Sequence, residues 1–404
     1  MDKKSILVFG LGFLQKSLIS RCKAKGLFTV GIDPCPDAVC KDDVDVFEIV
    51  GGQDYEKTLE VARRYNVSGV ITTATDKPLV MMARVAETLK LPFFSVETAL
   101  WSTDKYLMKQ RFIEGGVPCA KGFIISSPEE FKNMKESQLT FPVIVKPRDN
   151  SGSRGVIFCK DENELRKAFA ESMEYTMKTS VLVEEFVDGQ EYSIESIHYN
   201  GRSEVIQFTE KRTTEFPYNV ELGHIQPANI SEDNKNKIRE IVEKIAKALN
   251  FNNCGSHTEL KIGSRGIVVI ETSPRFGGDF ITSTLVPLST GINIDDVLIE
   301  ISIGNSLNIS DLKPKYNRFS EVVFLNLPEG RITKIGNLDD LKDIDGLHFY
   351  HFGLKEGDVI PKIKNSLDRY GDAAFVADDR DFLDKSVKLF NQIIDKQIDI
   401  EKLV

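Results

Sequence analysis

The sequence predicts a multidomain α/β and α+β protein whose first domain is a Rossmann-like, open parallel sheet. Three observations predict it. Strand-like and helix-like runs alternate through about residue 100, the order of a parallel sheet covered by helices. A glycine turn, Gly10-Leu11-Gly12, carries the first strand into the first helix. Further on, strands pair through glycine-marked turns such as Asn200-Gly201, with long helices between them. A chain of 404 residues is also too long for one simple core and calls for two or three domains.

The first strand is read at 6–9, the first helix at 14–25 and a second strand at 29–32, ending at Asp33. The distance from glycine turn to acidic residue is that of a dinucleotide fingerprint. Gln15, however, stands where a third glycine belongs, and Asp33-Pro34-Cys35-Pro36 is an unusual exit. The turn therefore argues for a βαβ start without a bound dinucleotide. Helices follow at 59–65 and 79–89, with a strand at 69–72 between them and another starting at Pro92-Phe93-Phe94. Thr73-Ala74-Thr75-Asp76 follows a strand, where ligands of α/β sheets gather; Asp76 either touches substrate or caps the next helix.

Ser102-Thr103-Asp104 caps a helix that begins near Lys105 and ends at Gly115-Gly116. A strand at 123–125 precedes Ser126-Ser127-Pro128-Glu129-Glu130, a helix start. FPVIVKP, 141–147, is a strand ending in Lys146; NSGSRG, 150–155, is a hairpin tip; the strand resumes at 156–159. Strand–loop–strand order and the absence of GKS or GKT exclude a P-loop. The tip is either an ordinary flexible hairpin or a phosphate cover built from backbone N–H groups, with Lys146 at its base and Ser151, Gly152, Ser153, Arg154 and Gly155 in it. A helix at 162–173 leads to a strand from 181, EEFV, and then to a hairpin of strands at 192–198 and 204–209. The polar stretches 211–214 and 221–228 read as loops inside the sheet region, followed by an amphipathic helix at 231–249.

Residues 255–280, GSHTELKIGSRGIVVIETSPRFGGDF, hold the sharpest chemistry. Gly263 and Gly266 mark a tight turn, so Glu259 and Glu271 come to neighbouring strands. Two hard carboxylates facing one space suit Mg²⁺ (or Mn²⁺), completed by substrate phosphates; alone, they also fit a solvated surface hairpin. Arg275 and the Gly277-Gly278 pair suit an anion. A helix at 294–303, a Lys313-Pro314-Lys315 linker, strands near 321–327, 348–352 and 373–377, and a last helix from 381 complete the chain.

Hydrophobic content of 41% and charge of 28% are those of an ordinary globular protein, and a net charge of −9 shows no nucleic-acid footprint. Six scattered cysteines without CxxC spacing read as reduced thiols in the cytoplasm. No stretch approaches the roughly 20 apolar residues of a membrane span, and MDKKSILVFGLG reads as a strand start, not a signal peptide.

In order, Lys105, Lys146, SGSRG, EEFVDGQE and the paired glutamates with SPRFGG resemble the ATP-grasp superfamily of carboxylate–amine ligases. The resemblance spans about residues 1–310 and is weaker beyond. It implies a pre-ATP-grasp domain at 1–103, an ATP-grasp domain at 104–310 with its lid at about 120–182, and a C-terminal α+β domain at 311–404. It further implies ATP and Mg²⁺ as cofactors. Lys105 and Lys146 would contact phosphates, and the loop with Ser151, Gly152, Ser153 and Gly155 would cover them. Glu184, Glu185 and Val187 would be the adenine hinge, with Glu191 on the ribose. Glu259 and Glu271 would bind metal. The family's E-x-N-P-R is here Glu271-Thr272-Ser273-Pro274-Arg275, so Ser273 stands at the second-metal position with a shorter donor. Arg275 would hold the acyl-phosphate or the carboxylate. Glu221-x-x-His224 resembles the amino-acid-ligase branch, which puts His224 near the γ-phosphate and Gly277, Gly278 and Asp279 at the substrate; an acid at 279 would select a cationic or amine-bearing partner. Homodimers are common among similar proteins.

By residue chemistry alone, Lys105 is also a first-turn surface lysine, Glu184, Glu185 and Glu191 are also edge charges, and His224 and His257 are also structural histidines. The leading expectation is a ligase joining an amino acid or other small carboxylate to an amine. Phosphoribosylglycinamide-synthetase-like, biotin-carboxylase-like and non-catalytic ATP-binding proteins are the alternatives; an NAD oxidoreductase rests on Gly10 and Gly12 alone.

Overall fold

The computed structural model describes residues 3–133 and 139–402. Strands β1 (Ser5–Phe9), β2 (Phe28–Asp33), β3 (Val46–Ile49) and β4 (Val67–Ile71) form a parallel sheet in the order β3-β2-β1-β4. Helices α1 (Lys16–Ala24), α2 (Tyr55–Arg64) and α3 (Leu79–Leu89) connect and follow them. Ile6, Leu7 and Val8 are all fully buried, as a continuous apolar run must be when helices cover both faces. Asp54 caps α2 by accepting the Lys57 N–H.

The expected strand at Pro92-Phe93-Phe94 is absent. Phe93 and Phe94 stack on each other, Phe94 is buried in the core, and Ser95 caps helix α4 (Val96–Thr103) through the Thr98 N–H. Two aromatic residues before a serine cap anchor a helix entry as readily as they begin a strand. Asp104 then caps α5 (Lys105–Glu114), accepting from the Tyr106 and Leu107 N–H groups.

A second sheet holds β5 (Gly122–Ile125), β6 (Val143–Pro147), β7 (Ile157–Cys159) and β8 (Val181–Glu185) in the antiparallel order β5-β8-β6-β7. Helix α6 (Pro128–Asn133) follows β5, and α7 (Glu162–Met173), capped by Asp161, buries Leu165 and Ala168.

The largest sheet begins with β9 (Gln190–Tyr199), β10 (Arg202–Thr213) and β11 (Glu221–Gln226). After α8 (Glu232–Leu249) come β12 (Cys254–Gly263) and β13 (Gly266–Ser273), the expected hairpin. A π-turn, α9 (Val286–Thr290) and α10 (Ile294–Ser302) lead to the C-terminal elements. These are β14 (Phe319–Phe324), β15 (Gly330–Ile335), β16 (Leu347–Phe352), β17 (Val359–Ile360), β18 (Gly371–Ala377), α11 (Arg380–Gln397) and β19 (Ile398–Glu401). The order β13-β12-β9-β10-β11-β14-β18-β16 makes one eight-stranded sheet that runs on past residue 310, while β17-β15-β19 stand apart. The stretches read as loops, 211–214 and 221–228, contain strand: Lys211 pairs with His224 and Glu210 with Ile225. Their apolar alternation is missing because Lys211 and Glu221 point into a polar cleft.

Two joins position the site. One core combines Ile6 and Val8 with Val297 and Leu298 of α10 and with Phe276. Helix α8, capped by Ser231, buries Ile238, Val242 and Ile245 along one face. No helix among the described residues is long and apolar enough to cross a membrane.

Candidate active site

A cleft opens between the four-stranded antiparallel sheet and the eight-stranded one. Part of it is apolar, lined by Ala120, Ile144, Phe158, Phe186, Val187 and Ile270, and the Phe158 and Phe216 rings stack with centroids 4.5 Å apart. Such a slot fits a flat, largely apolar ring. The remainder is charged.

Lys146, next to last in β6, is buried, with Nζ 2.5 Å from Glu184; Lys109 of α5 lies 2.7 Å from the other Glu184 oxygen. Burial raises the Glu184 pKa, but the two ammonium groups outweigh it and the carboxyl ends below its ordinary value. Glu185 accepts the Lys121 N–H and pairs with Arg265 at 2.9 Å. Both carboxylates are therefore taken by the protein. The Glu185 and Phe186 N–H groups are also taken, by Lys121 and Pro142 carbonyls. Val187 lines the apolar slot.

The glycine loop projects from β6 into the cleft, with Ser151, Gly152, Ser153, Arg154 and Val156 in its wall. Gly152 (φ 69°) and Gly155 (φ 71°) are left-handed, and a Cβ on Gly155 would sit 2.8 Å from the Tyr175 ring. Opposite stand Glu259 and Glu271, direct partners across β12 and β13. Lys105 lies 2.7 Å from Glu271. Burial lowers the Lys105 pKa, but Glu271 more than restores it, so the ammonium is held charged.

The most loaded group is one the sequence did not single out. Lys211 is buried, with Glu259 at 2.8 Å, Glu191 at 2.9 Å and Glu221 at 3.4 Å. Burial pulls its pKa down; three carboxylates push it well above the ordinary value. Glu191 also accepts from Asn219 at 3.3 Å. Correct strand assignment would have exposed Lys211, since side chains of a strand alternate and place Thr209, Lys211 and Thr213 on one face.

Two carboxylates on one face of a hairpin, lining the same cleft as two lysines and a glycine loop, are an oxygen donor set that fits Mg²⁺ shared with phosphates. Among the described residues no three metal-type ligands gather, so the remaining donors would be phosphate or water oxygens. Ser273 is not brought into this group. It lies two residues along β13 from Glu271 and gives its hydroxyl to Asp76 at 2.5 Å.

Beyond the hairpin, Asp76 holds Arg275 bidentately at 2.8 and 2.9 Å. Burial raises the Asp76 pKa, yet Arg275 and Ser273 bring it down to about 2. Asp76 thus meets Arg275 and Ser273 and does not cap α3, whose N-cap is Pro78. The Gly277 N–H donates to buried Glu195 at 2.9 Å, and Glu195 also binds His257 Nδ1 at 2.5 Å. A Cβ on Gly277 would lie 2.7 Å from that nitrogen, so this approach requires glycine; a Cβ on Gly278 would meet Ala74 at an ordinary 3.4 Å. Burial lowers the His257 pKa, but Glu195 and Glu259 raise it to about 9.

Asp279 does not present a free negative charge. Arg369, from the segment before β18, grips it at 2.7 and 2.8 Å and packs over the Phe324 ring at 3.7 Å. His224 Nε2 approaches Asp279 at 3.4 Å, and its buried Nδ1 has no partner. Arg369 and Asp279 meet across 90 residues of chain, and no local pattern signals that.

The N-terminal glycine turn is closed on itself. Asp33 accepts the Leu11 N–H at 2.8 Å, and the buried Gln15 side chain donates to the Thr73 carbonyl at 2.8 Å beside the glycines. Gln15 fills the space a third glycine would leave open.

The ATP-grasp domain family matches residues 139–283, and the L-amino acid ligase C-terminal domain 2 matches residues 323–388. An uncharacterised protein, y4rH, of Sinorhizobium fredii is 24% identical over 84% of this chain and 70% of its own length. Alanine–anticapsin ligase of Bacillus subtilis is 28% identical over 55% of this chain, and the match spans only 51% of that protein. In fold, the L-amino acid ligase of Bacillus licheniformis superposes at a TM-score of 0.81, 20% identical, with both chains fully covered. The phosphoribosylglycinamide synthetase of Anaerococcus prevotii does so at 0.74, 25% identical, also over both full chains. The chain thus carries an ATP-grasp domain followed by the C-terminal domain 2 of L-amino acid ligases.

Proposed function

We propose that the protein is an ATP- and Mg²⁺-dependent ligase that joins an amino acid, or another small carboxylate, to an amine. One observation supports this most. A single cleft sets the Lys146 loop against Glu259, Glu271 and Lys105. Arg275 continues from the same hairpin, fixed by Asp76.

A carboxylate is a poor acyl donor, so a carboxylate oxygen first attacks the γ-phosphorus of ATP. The bond from that phosphorus to the β–γ bridging oxygen breaks, leaving ADP and an acyl-phosphate. The amine then attacks the acyl carbon, the C–N bond forms and phosphate departs. Lys146 and Lys105 supply fixed positive charge to the phosphate oxygens, and the loop's N–H groups cover them. Bound at Glu259 and Glu271, Mg²⁺ would neutralise phosphate charge. Arg275 holds the carboxylate or its acyl-phosphate, preorganised by its bidentate bond to Asp76. His224 offers a buried, unpartnered Nδ1 able to take the proton the amine loses.

The C-terminal domain type and the alanine–anticapsin relative support amino acids as substrates. The test is phosphate release with ATP, Mg²⁺ and a matrix of carboxylates and amines. Release with paired amino acids supports the reading. Release only with phosphoribosylamine and glycine moves it to the purine type of the 25% identical structural relative. Release only with biotin and bicarbonate moves it to carboxylation. ATP binding without release for any pair indicates a non-catalytic nucleotide-binding protein.

A further inference from the structure

The glycine loop does not end its contacts inside the cleft. Its tip reaches a short turn of the C-terminal domain, Asn365 to Arg369. The Ser366 N–H donates to the Gly152 carbonyl at 3.2 Å. The Ser366 hydroxyl donates to Glu221 at 3.1 Å, and the Ser153 hydroxyl reaches the same carboxylate at 3.3 Å. Ser153 holds a left-handed backbone, φ 55°, which a residue with a Cβ keeps only when its surroundings fix it. Nearby, Lys362 and Lys364 lie 5.9 and 5.8 Å from the centre of the Tyr218 ring, which lines the cleft.

The turn is braced by its own hydrogen bonds. Asn365 and Asp368 form a capping box: Asn365 accepts the Leu367 N–H, and Asp368 accepts the Asn365 N–H. At its other end Arg369 donates to the Ser366 carbonyl at 2.9 Å and the Glu221 carbonyl at 3.3 Å, and it grips Asp279. One five-residue turn therefore touches the loop over the nucleotide and the wall facing the acceptor.

We propose that this turn is a latch and that Ser366 is a positioning residue: it holds the glycine loop closed, and through Arg369 it ties that closure to the acceptor wall at Asp279. The latch rests on the ligase reading, because it assigns the loop to ATP. Closure and acceptor binding then stabilise one arrangement, and each ligand raises the affinity for the other by the same factor.

Ser366→Pro tests it cleanly. Proline removes the N–H to Gly152 and the hydroxyl to Glu221 together, and its Cδ, standing where that N–H pointed, forces the Gly152 carbonyl away. Ser366 follows the cap residue Asn365, so it occupies the first helical position, where proline is accepted. Asn365 is extended (φ −156°, ψ 171°), the backbone that a following proline favours. The measurement is calorimetric binding of a non-hydrolysable ATP analogue with Mg²⁺, paired with the KM for ATP at low and at saturating acceptor. A melting curve checks the fold.

Ser366→Pro should weaken analogue binding at least about tenfold, the effect of losing two hydrogen bonds and displacing the loop, with an unchanged melting curve. In the unaltered protein the KM for ATP should fall as acceptor saturates; in Ser366→Pro that dependence should vanish. Ser366→Ala keeps the N–H and should lie between the two. If Ser366→Pro melts early, Ser366→Ala carries the test alone, with the same two readouts. Unchanged analogue affinity and unchanged dependence overturn the latch while leaving the ligase intact. An unaltered protein that fails to bind the analogue overturns the ligase reading itself.

Discussion

Lys211 shows how much of this cleft depends on single charges. Its buried ammonium answers Glu191, Glu221 and Glu259 in the wall of the cleft. Removing one partner of a buried ion cluster leaves charges with neither water nor counter-ion. Lys211→Met should lower stability by about 3 kcal/mol in denaturant unfolding and reduce phosphate release at least about a hundredfold, since Glu259 loses its fixed neighbour. Unchanged stability would mean that the three carboxylates repack without it. The residues visible beforehand, Glu259, Glu271 and Lys146, end or occupy apolar runs whose period reveals which way they point. Lys211 was hidden because both faces near it are polar, so no alternation marks the strand.

At the scale of elements, the packing of α10 against α1 carries a pH signature. Asp295 is buried at the start of α10, where Ser17 of α1 donates to it at 2.8 Å. A helix N-terminus favours a carboxylate, but desolvation dominates and lifts its pKa to about 6. The folded pKa exceeds the unfolded one, so the group's contribution is full below about pH 4 and is lost as pH rises through 6. Asp295→Asn keeps an acceptor for Ser17 without the charge. It should be more stable than the unaltered protein by about 3 kcal/mol at pH 7.5 and equal to it near pH 4, read from paired denaturant curves. Equal stability at both values would show that Asp295 is solvated. Other elements were legible for plain reasons: Asp104 and Ser231 announce helix starts, and Gly263 and Gly266 announce the hairpin. Pro92-Phe93-Phe94 misled because aromatic residues before a serine cap serve a helix as well as a strand.

For the whole molecule, the eight-stranded sheet is the deciding feature. Strand β14 pairs along β11 from Gly223 to Gln226, so the C-terminal strands support His224 directly. A chain ending at residue 310 would leave the β11 edge bare and lose Phe324 from beside the His224 ring. Such an edge invites pairing with other chains. The truncated chain should be recovered as aggregate in size-exclusion chromatography; a monomer that binds ATP would show that β11 needs no partner. The sequence alone suggested a linker at Lys313-Pro314-Lys315, and pairing between strands a hundred residues apart leaves no local trace there. The Ser366 and Arg369 contacts were silent for the same reason.

On the proposed reading, this cleft moves the γ-phosphoryl of ATP to a carboxylate, and an amine then takes the acyl group and displaces inorganic phosphate. Product analysis with ATP, Mg²⁺ and paired amino acids tests it most directly. The expected result is ADP and inorganic phosphate in equal amounts, only when carboxylate and amine are both present, and lost in Glu271→Ala with the fold retained. AMP with pyrophosphate, or turnover that survives Glu271→Ala, would contradict it.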